Sequence, residues 1–240
     1  LERNLYICPS CNYYFPVPAE SRLCHILSPD SWTNLFPTVA PPSLLQSLEI
    51  SDLVSQSVFS DSSHRLIAAG QGDISGHPTI LAVVHPFARA QRLHFITLLI
   101  AIRAAVQNAL PLITVYSNDS LPKSRATDCP IQSELSFPEI TYLSTEMEQL
   151  SEASLPQITV LTDTNVGGLS TKFPLGDLIL AERENGHTSR ASELSHASHI
   201  RAHSESSLEE PKCDAFIDCY IPRQDLSATL GNLLDFFGKT

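Results

Sequence analysis

Two adjacent glycines, Gly167 and Gly168, separate two short apolar runs of the chain. Glycine pairs allow φ > 0 and a close approach of the backbone. Where such a pair opens a helix, its N–H groups point at whatever lies in front of them. The pair can therefore hold an anion or a developing oxyanion. The alternative, which the spacing alone favours, is a tight turn between two strands.

The sequence CPSC gives Cys8 and Cys11 the spacing of half a zinc ribbon. Tetrahedral structural zinc takes four ligands, which ribbons supply as two such pairs. Cys24 and His25 are candidates for the missing ligands, but adjacent residues are poorly placed to bind one ion together. A zinc site at this pair would more readily take its second pair from residues upstream of Leu1. The alternative is that this chain binds no zinc.

Other polar patterns are weaker candidates for chemistry. The run GQGDISG (70–76) lacks the spacing of a dinucleotide loop and precedes a strand pattern, so it predicts a hairpin. The histidines within 196–203 fall on one helical face, but their serine-rich surroundings favour a solvated segment. Asp119 and Asp163 follow apolar runs, where both catalytic residues and simple turn formers occur. The sequence contains no GxSxG, HExxH or P-loop motif.

Composition limits the class of protein and its partners. The chain has 240 residues, of which 42% are hydrophobic, enough for one sizeable core. No apolar run reaches the roughly 18 residues of a membrane span. A net charge of −11 argues against nucleic acid and anionic membranes as partners. The six cysteines form no disulfide framework, which favours a reducing compartment: the cytoplasm, or the plastid stroma if a transit peptide has been removed.

Alternating strands and helices would position these residues. Residues 64–85 predict a hairpin that turns at Ser75–Pro78, and 95–108 predict a helix with one broad apolar face. Two similar runs, 109–119 and 154–165, each place a strand after a helix that ends at Leu-Pro. This repeat indicates stacked α/β units rather than a barrel. A last strand and an amphipathic helix close the chain.

The same patterns divide the chain into segments. Residues 1–27 form the partial zinc-ribbon segment. Residues 28–64 are rich in serine and proline and predict a linker with a short helix. Residues 65–240 form the main α/β domain, within which 183–212 carry almost no apolar residues and predict a solvated, mobile segment.

Four stretches in order suggest a family: LERNLYICPSCNYYF, GQGDISGHPTILAVVHPFA, IRAAVQNALPLITVYS and LPQITVLTDTNVGGLSTKFPLGDLILAE. Together they resemble the carboxyltransferase β subunit of multi-subunit acetyl-CoA carboxylase, over most of residues 1–182. The resemblance implies a crotonase/ClpP-like superhelix of repeated ββα units, preceded by a four-cysteine zinc ribbon. It also implies a partner α-type subunit, with acetyl-CoA and carboxybiotin meeting at the interface, and no covalent biotin on this chain.

The chain departs from that family at its glycine-rich turns. After the hairpin the family carries Met-Gly-Gly-Ser-Met-Gly, whereas residues 88–95 here read ARAQRLHF. After the next strand it carries Ser-Gly-Gly-Ala-Arg, whereas residues 117–120 read SNDS. After LILAE it carries Gly-Phe-Ala-Gly-Pro, whereas this chain continues RENGHTSRASELSHAS. The family presents backbone N–H groups from such turns to the oxyanions of its substrates. Gly167–Gly168 is the one element of this kind that still matches.

These observations predict a β-like subunit without catalytic residues, with a structural or regulatory role. It would pair with an α-type subunit or a catalytic β paralogue, and its binding of acetyl-CoA or malonyl-CoA is doubtful. Three alternatives stay open. One is an active β subunit with a φ > 0 turn at Asn118. Another is a different crotonase-like acyl-CoA enzyme that uses Asp119 or Asp163. The last is a binding module built on the CPSC segment.

Overall fold

The structure is a computed structural model that describes residues 2–15, 17–35, 68–84, 91–116, 137–162, 176–182 and 217–238. The helix predicted within the 28–64 linker and the polar segment 183–212 lie outside these residues. The predicted domain boundaries therefore stay predictions.

The described residues form four α-helices and seven β-strands that alternate over most of the chain. The helices are α1 (Ala19–Ile26), α2 (Gln91–Asn108), α3 (Phe137–Glu152) and α4 (Leu226–Phe237). The strands are β1 (Thr33–Asn34), β2 (Ala68–Ile74), β3 (His77–Val84), β4 (Leu112–Tyr116), β5 (Gln157–Leu161), β6 (Leu178–Glu182) and β7 (Cys219–Ile221).

The strands form one mixed sheet whose spatial order follows the chain, from β1 to β7. The pairs β1–β2 and β2–β3 are antiparallel, and every pair from β3 to β7 is parallel. Parallel neighbours need a crossover connection, which α2 supplies between β3 and β4 and α3 between β4 and β5. Because each crossover adds its strand on the same side, the sheet grows in one direction, as the predicted stacked units require.

Each face of the sheet is covered by a separate hydrophobic core. Side chains alternate along a strand, so Ile80 and Ala82 of β3 lie in the core beneath α2 and α3. Leu81 and Val83 lie in the opposite core, beneath α1 and α4. Burial on both faces explains why the parallel strands read as continuous apolar runs.

Helix α2 differs from its predicted form. The sequence predicted one broad apolar face over 95–108, but the helix begins at Gln91 and also buries residues outside that face, including Ile96, Ile100 and Ala104. It is enclosed because it packs on both the sheet and α3, and such a helix is apolar nearly all round. None of the described helices has the length and apolarity that crossing a membrane requires.

The hairpin predicted over 64–85 is present, with a tighter turn. Its two turn residues are Ser75 and Gly76, with φ of 56° and 93°, the pattern of a type I′ turn. Pro78, which was expected in the turn, belongs to β3 and lies opposite Asp73. Gly70 in β2 allows a close approach, since a Cβ there would lie 2.5 Å from the carbonyl oxygen of Thr33. The glycine run is therefore a strand rather than a phosphate loop.

The repeat seen in the sequence is a repeated helix ending. The N–H of Leu110 bonds to the carbonyl of Ala105, and the N–H of Leu155 bonds to that of Leu150. The residues before these leucines, Ala109 and Ser154, have φ of 51° and 54°. Both endings thus have the left-handed cap that glycine usually occupies, and each sends the chain into the next parallel strand.

Glycine at either cap should stabilise the fold. The left-handed conformation costs a non-glycine residue about 1–2 kcal/mol, and glycine's greater freedom in the unfolded chain offsets part of that gain. We expect Ala109→Gly and Ser154→Gly each to raise the free energy of unfolding by about 0.5–1 kcal/mol, measured by urea denaturation. Gln107→Gly, also exposed but inside α2, should lower it by about 1 kcal/mol. Equal losses from all three changes would contradict the cap assignment.

Candidate functional site

The candidate site lies at the carboxyl edge of the parallel strands. Strands β3, β4, β5 and β6 run side by side and end at this edge. Open α/β sheets bind ligands beyond the carboxyl ends of their strands, so this edge is where chemistry is expected. Gly167 and Gly168 follow β5 and lie outside the described residues, as do Asn118, Asp119 and Asp163. Their placement at this site stays a prediction.

At the ends of β4 and β5 the backbone is held by one residue. Thr162 donates its backbone N–H and its hydroxyl to the carbonyl oxygen of Tyr116, at 2.9 and 3.1 Å. Tyr116 is fully buried, and burial raises the pKa of its phenol well above the ordinary value. The phenol is therefore neutral at physiological pH and unsuited to act as a base.

The end of β6 carries a buried cluster of charges. Glu182, its last residue, accepts hydrogen bonds from Arg22 of α1 and from Arg223, which follows β7. The Nη2 of Arg22 lies 3.4 Å from Oε2 of Glu182, and Nε of Arg223 lies 3.1 Å from the same oxygen. All three side chains are at most 1% exposed. The cluster joins segments from the beginning, the middle and the end of the chain.

The cluster holds two cations and one anion away from water. Burying a charge costs several kcal/mol unless it is paired and hydrogen-bonded. The second cation is stabilised by other groups, because Arg223 Nη1 donates to the carbonyls of Leu5 and Phe15 at 3.1 and 2.9 Å. Its guanidinium also lies 4.5 Å from the centre of the Tyr14 ring, a cation–π contact.

His25 lies beside this cluster as a neutral ring. Its side chain is half-buried and 6.1 Å from the ring of Tyr6. The pKa of His25 is lowered to about 4, first by burial and then by the positive charges of Arg22 and Arg223. Within the described part of the chain, its buried Nδ1 has no hydrogen-bond partner.

The CPSC segment forms a small hairpin. Ile7 and Tyr14 form an antiparallel bridge, and the N–H of Cys8 donates to the carbonyl of Tyr13 at 2.8 Å. The pKa of the Cys8 thiol is lowered, first by the backbone N–H of Ser10 and then by that of Cys11. A thiolate that receives backbone N–H groups is a good ligand for a soft divalent metal. These two residues fit half of a structural zinc site.

The other predicted ligands do not join this pair. Cys24 is exposed on α1, and His25 on the same helix is half-buried against Tyr6. Across the described ranges, no three histidine, cysteine or acidic residues are grouped as a metal site would need. Two further ligands for Cys8 and Cys11 would have to come from elsewhere.

The charge cluster itself was missed by the sequence analysis. The one local signal is that an acidic residue, Glu182, ends the apolar run LILA, where a buried charge needs a partner. Its partners, Arg22 and Arg223, are 160 and 41 residues away. No local spacing rule could have paired them.

Three curated proteins similar to this chain all carry the same name. The chain is 27% identical over 189 residues to the acetyl-coenzyme A carboxylase carboxyl transferase subunit beta of Citrifermentans bemidjiense. It is 28% identical to the subunits of the same name from Desulforudis audaxviator over 193 residues and Heliobacterium modesticaldum over 186 residues. The chain is a divergent homologue of these β subunits. Each match covers 76% of the chain, but only 64% and 65% of the first two relatives and 67% of the third. No protein-family model matches the chain.

Solved structures confirm the fold of this β-subunit homologue. A single-chain, multi-domain long-chain acyl-CoA carboxylase matches with a TM-score of 0.51 and 10% identity, over 91% of the chain and 22% of that protein. The Pseudomonas aeruginosa geranyl-CoA carboxylase β subunit matches with 0.50 and 15%, over 92% and 39%. A Pseudomonas malonate decarboxylase hetero-tetramer matches with 0.50 and 15%, over 93% and 82%. The predicted crotonase-like α/β class is confirmed, whereas the zinc ribbon stays a prediction.

Removing the central carboxylate should be more damaging than removing a more exposed one. Glu182→Gln leaves two buried guanidinium groups without their counter-ion, so we expect a loss of about 3–5 kcal/mol in the free energy of unfolding. The control is Glu146→Gln, whose side chain is 8% exposed and whose single partner cation, Arg103, is 21% exposed, so its loss should cost about 1–2 kcal/mol. Urea denaturation measures both variants. A loss for Glu182→Gln no larger than for the control would contradict the role of the cluster.

His25 should make the fold sensitive to mild acid. Its folded pKa of about 4 lies below the ordinary 6.5, so the unfolded chain takes up the proton first as the pH falls. Above pH 6.5 His25 therefore does not change the free energy of unfolding. As the pH falls from 6.5 to 4, that free energy should decline. His25→Gln should flatten that decline in urea midpoints measured across this range. A variant that keeps the full wild-type slope would show that His25 is not its source.

Proposed function

We propose that this chain is a β-type subunit of an acetyl-CoA carboxylase carboxyltransferase complex, and that its role there is structural or regulatory rather than catalytic. The proposal rests on one observation: the chain is similar to β subunits over most of its length but lacks two of their glycine-rich turns. Its similarity to β subunits extends over 189 residues. Yet residues 88–95 and 117–120, which follow β3 and β4 in the sequence, contain no glycine, where the family resemblance calls for glycine-rich turns.

The loss of those turns bears directly on the chemistry of carboxyl transfer. The reaction forms the enolate of acetyl-CoA and develops negative charge on each substrate oxygen. Removing one preorganised N–H donor from such a site costs about 10²–10³ in rate. Asp119 stands in one of the replaced turns, and a carboxylate there would repel the developing charge. Two altered turns together would leave little catalysis.

The preserved framework supports a role in assembly. The predicted partners are an α-type subunit and a catalytic β paralogue. Three aromatic side chains are exposed among the described residues: Phe236 of α4 at 66%, Tyr13 of the CPSC segment at 43% and Tyr220 of β7 at 38%. Aromatic side chains of this kind are enriched at protein interfaces. Gly167 and Gly168 are the proposed remnant of the acyl-CoA site.

Structural zinc is part of the same proposal. Cys8 and Cys11 would supply two thiolates, and a second pair of ligands from outside the described residues would complete a tetrahedral site. The ion would hold the hairpin together and take no part in carboxyl transfer. The proposed location is the cytoplasm or a plastid stroma, where thiols stay reduced.

A carboxyl-transfer assay tests the proposal. We expect no malonyl-CoA from this chain mixed with its α-type partner alone. Adding a standard β subunit should then reveal a changed rate or a larger complex. Malonyl-CoA formed without standard β would establish an active subunit and overturn the non-catalytic role. If the chain changed neither the rate nor the assembly in either mixture, the proposal that it is a subunit of the complex would be wrong.

A matched exchange isolates the replaced turn. In a standard β subunit, replacing the Ser-Gly-Gly turn with the Ser-Asn-Asp of residues 117–119 should lower kcat by a factor of about 10²–10³. Size-exclusion chromatography with the α-type partner controls for assembly. A variant of standard β that keeps its full rate would show that this turn tolerates the change.

A further inference from the structure

One guanidinium holds the base of the CPSC hairpin closed. Arg223 Nη1 donates to the carbonyls of Leu5 and Phe15, which stand on the two sides of the hairpin. The backbone N–H of Arg223 also lies 3.4 Å from the hydroxyl of Tyr14. The side chain is 1% exposed, so water does not compete for these contacts.

The hairpin depends on this support because its base is strained. Leu5 and Tyr6 have φ of 52° and 59°, and neither is a glycine. Adjacent residues in this conformation cost roughly 1–2 kcal/mol each and persist only where the surroundings hold them. The carbonyl of Leu5 is one of the two that Arg223 binds. Without Arg223, the base of the hairpin would lose one of the contacts that hold it.

The same guanidinium reaches the carboxyl edge of the sheet. Its Nε and Nη2 both lie 3.1 Å from Oε2 of Glu182, the last residue of β6. We propose that Arg223 couples the Cys8–Cys11 hairpin to the carboxyl end of β6, so that a soft divalent ion at the zinc site proposed above, to which the two thiols belong, orders that edge. This link is within the chain and does not depend on carboxyl transfer.

Linkage gives the coupling a definite sign. An ion at Cys8 and Cys11 favours the closed hairpin, and the closed hairpin favours the contacts of Arg223 with Glu182. By reciprocity, an ordered end of β6 must strengthen ion binding by the same factor. A rival route runs through α1, because the hydroxyl of Tyr6 lies 3.1 Å from Oγ of Ser21 and Arg22 also binds Glu182. The experiment must separate the two routes.

Hydrogen exchange read by mass spectrometry, with and without Zn²⁺, separates them. In the reduced full-length protein we expect Zn²⁺ to slow exchange about tenfold in the hairpin and also at 178–182, within the usual range of coupling. In Arg223→Met the slowing should persist in the hairpin and vanish at 178–182. Arg223→Lys keeps a cation near Glu182 but cannot span both carbonyls, so it should show partial coupling and serves if the methionine variant does not fold.

Two controls attribute the effect. Cys8→Ser with Cys11→Ser should abolish the response to Zn²⁺ in both regions. Arg103→Met removes another arginine–glutamate pair, between α2 and α3, and should leave the response intact. Slowing at 178–182 that survives Arg223→Met would assign the coupling to α1 and overturn the proposal. It would also be overturned if Zn²⁺ left the wild-type hairpin unchanged, or protected the hairpin without β6.

Discussion

The buried carboxylate of Glu182 is the interaction on which the rest of the described structure depends. It neutralises charge on Arg22 and Arg223 in a place that water does not reach. Buried charges are tolerated only when every partner is present. The first helix, the end of β6 and the start of the last helix must therefore take up their positions together. Ser227 adds to this arrangement, because its hydroxyl donates to the carbonyl of Ile26 at 2.8 Å.

The sheet holds its strands independently of the connections that follow them at the carboxyl edge. Two cores hold the parallel strands from both faces, and the helix endings at Ala109 and Ser154 direct each chain segment into its strand. None of this requires a particular sequence in the loops that leave the carboxyl edge. A fold can therefore persist while the loops that once supported a reaction change, which is why function must be argued from sites rather than from folds.

Sequence alone predicted the parts of this structure that are locally encoded. The β2–β3 hairpin, the strand–helix repeats and the last helix follow from periodicity and short-range spacing. The burial of α2 on nearly all sides was missed, because a helix enclosed by a sheet and a second helix reveals no polar face. The charge cluster was missed because its members are joined by the tertiary fold alone. Gly167 and Gly168 were recognised as a candidate oxyanion-binding pair from their chemistry, but their position in the fold could not be predicted from the sequence.

The wide spacing of the cluster has a consequence for how the chain folds during synthesis. The β2–β3 hairpin and the strand–helix repeats form between segments that are close in sequence, so they can assemble as they leave the ribosome. The first helix and the cysteine hairpin also have local contacts, but they cannot dock at this stage, because Arg22 must wait for Glu182, 160 residues later, and Leu5 for Arg223, 218 residues later. The segment with Cys8 and Cys11, although made before the sheet, is thus among the last of the described parts to settle. Until then its aromatic side chains and thiols stay open to chaperones and oxidants.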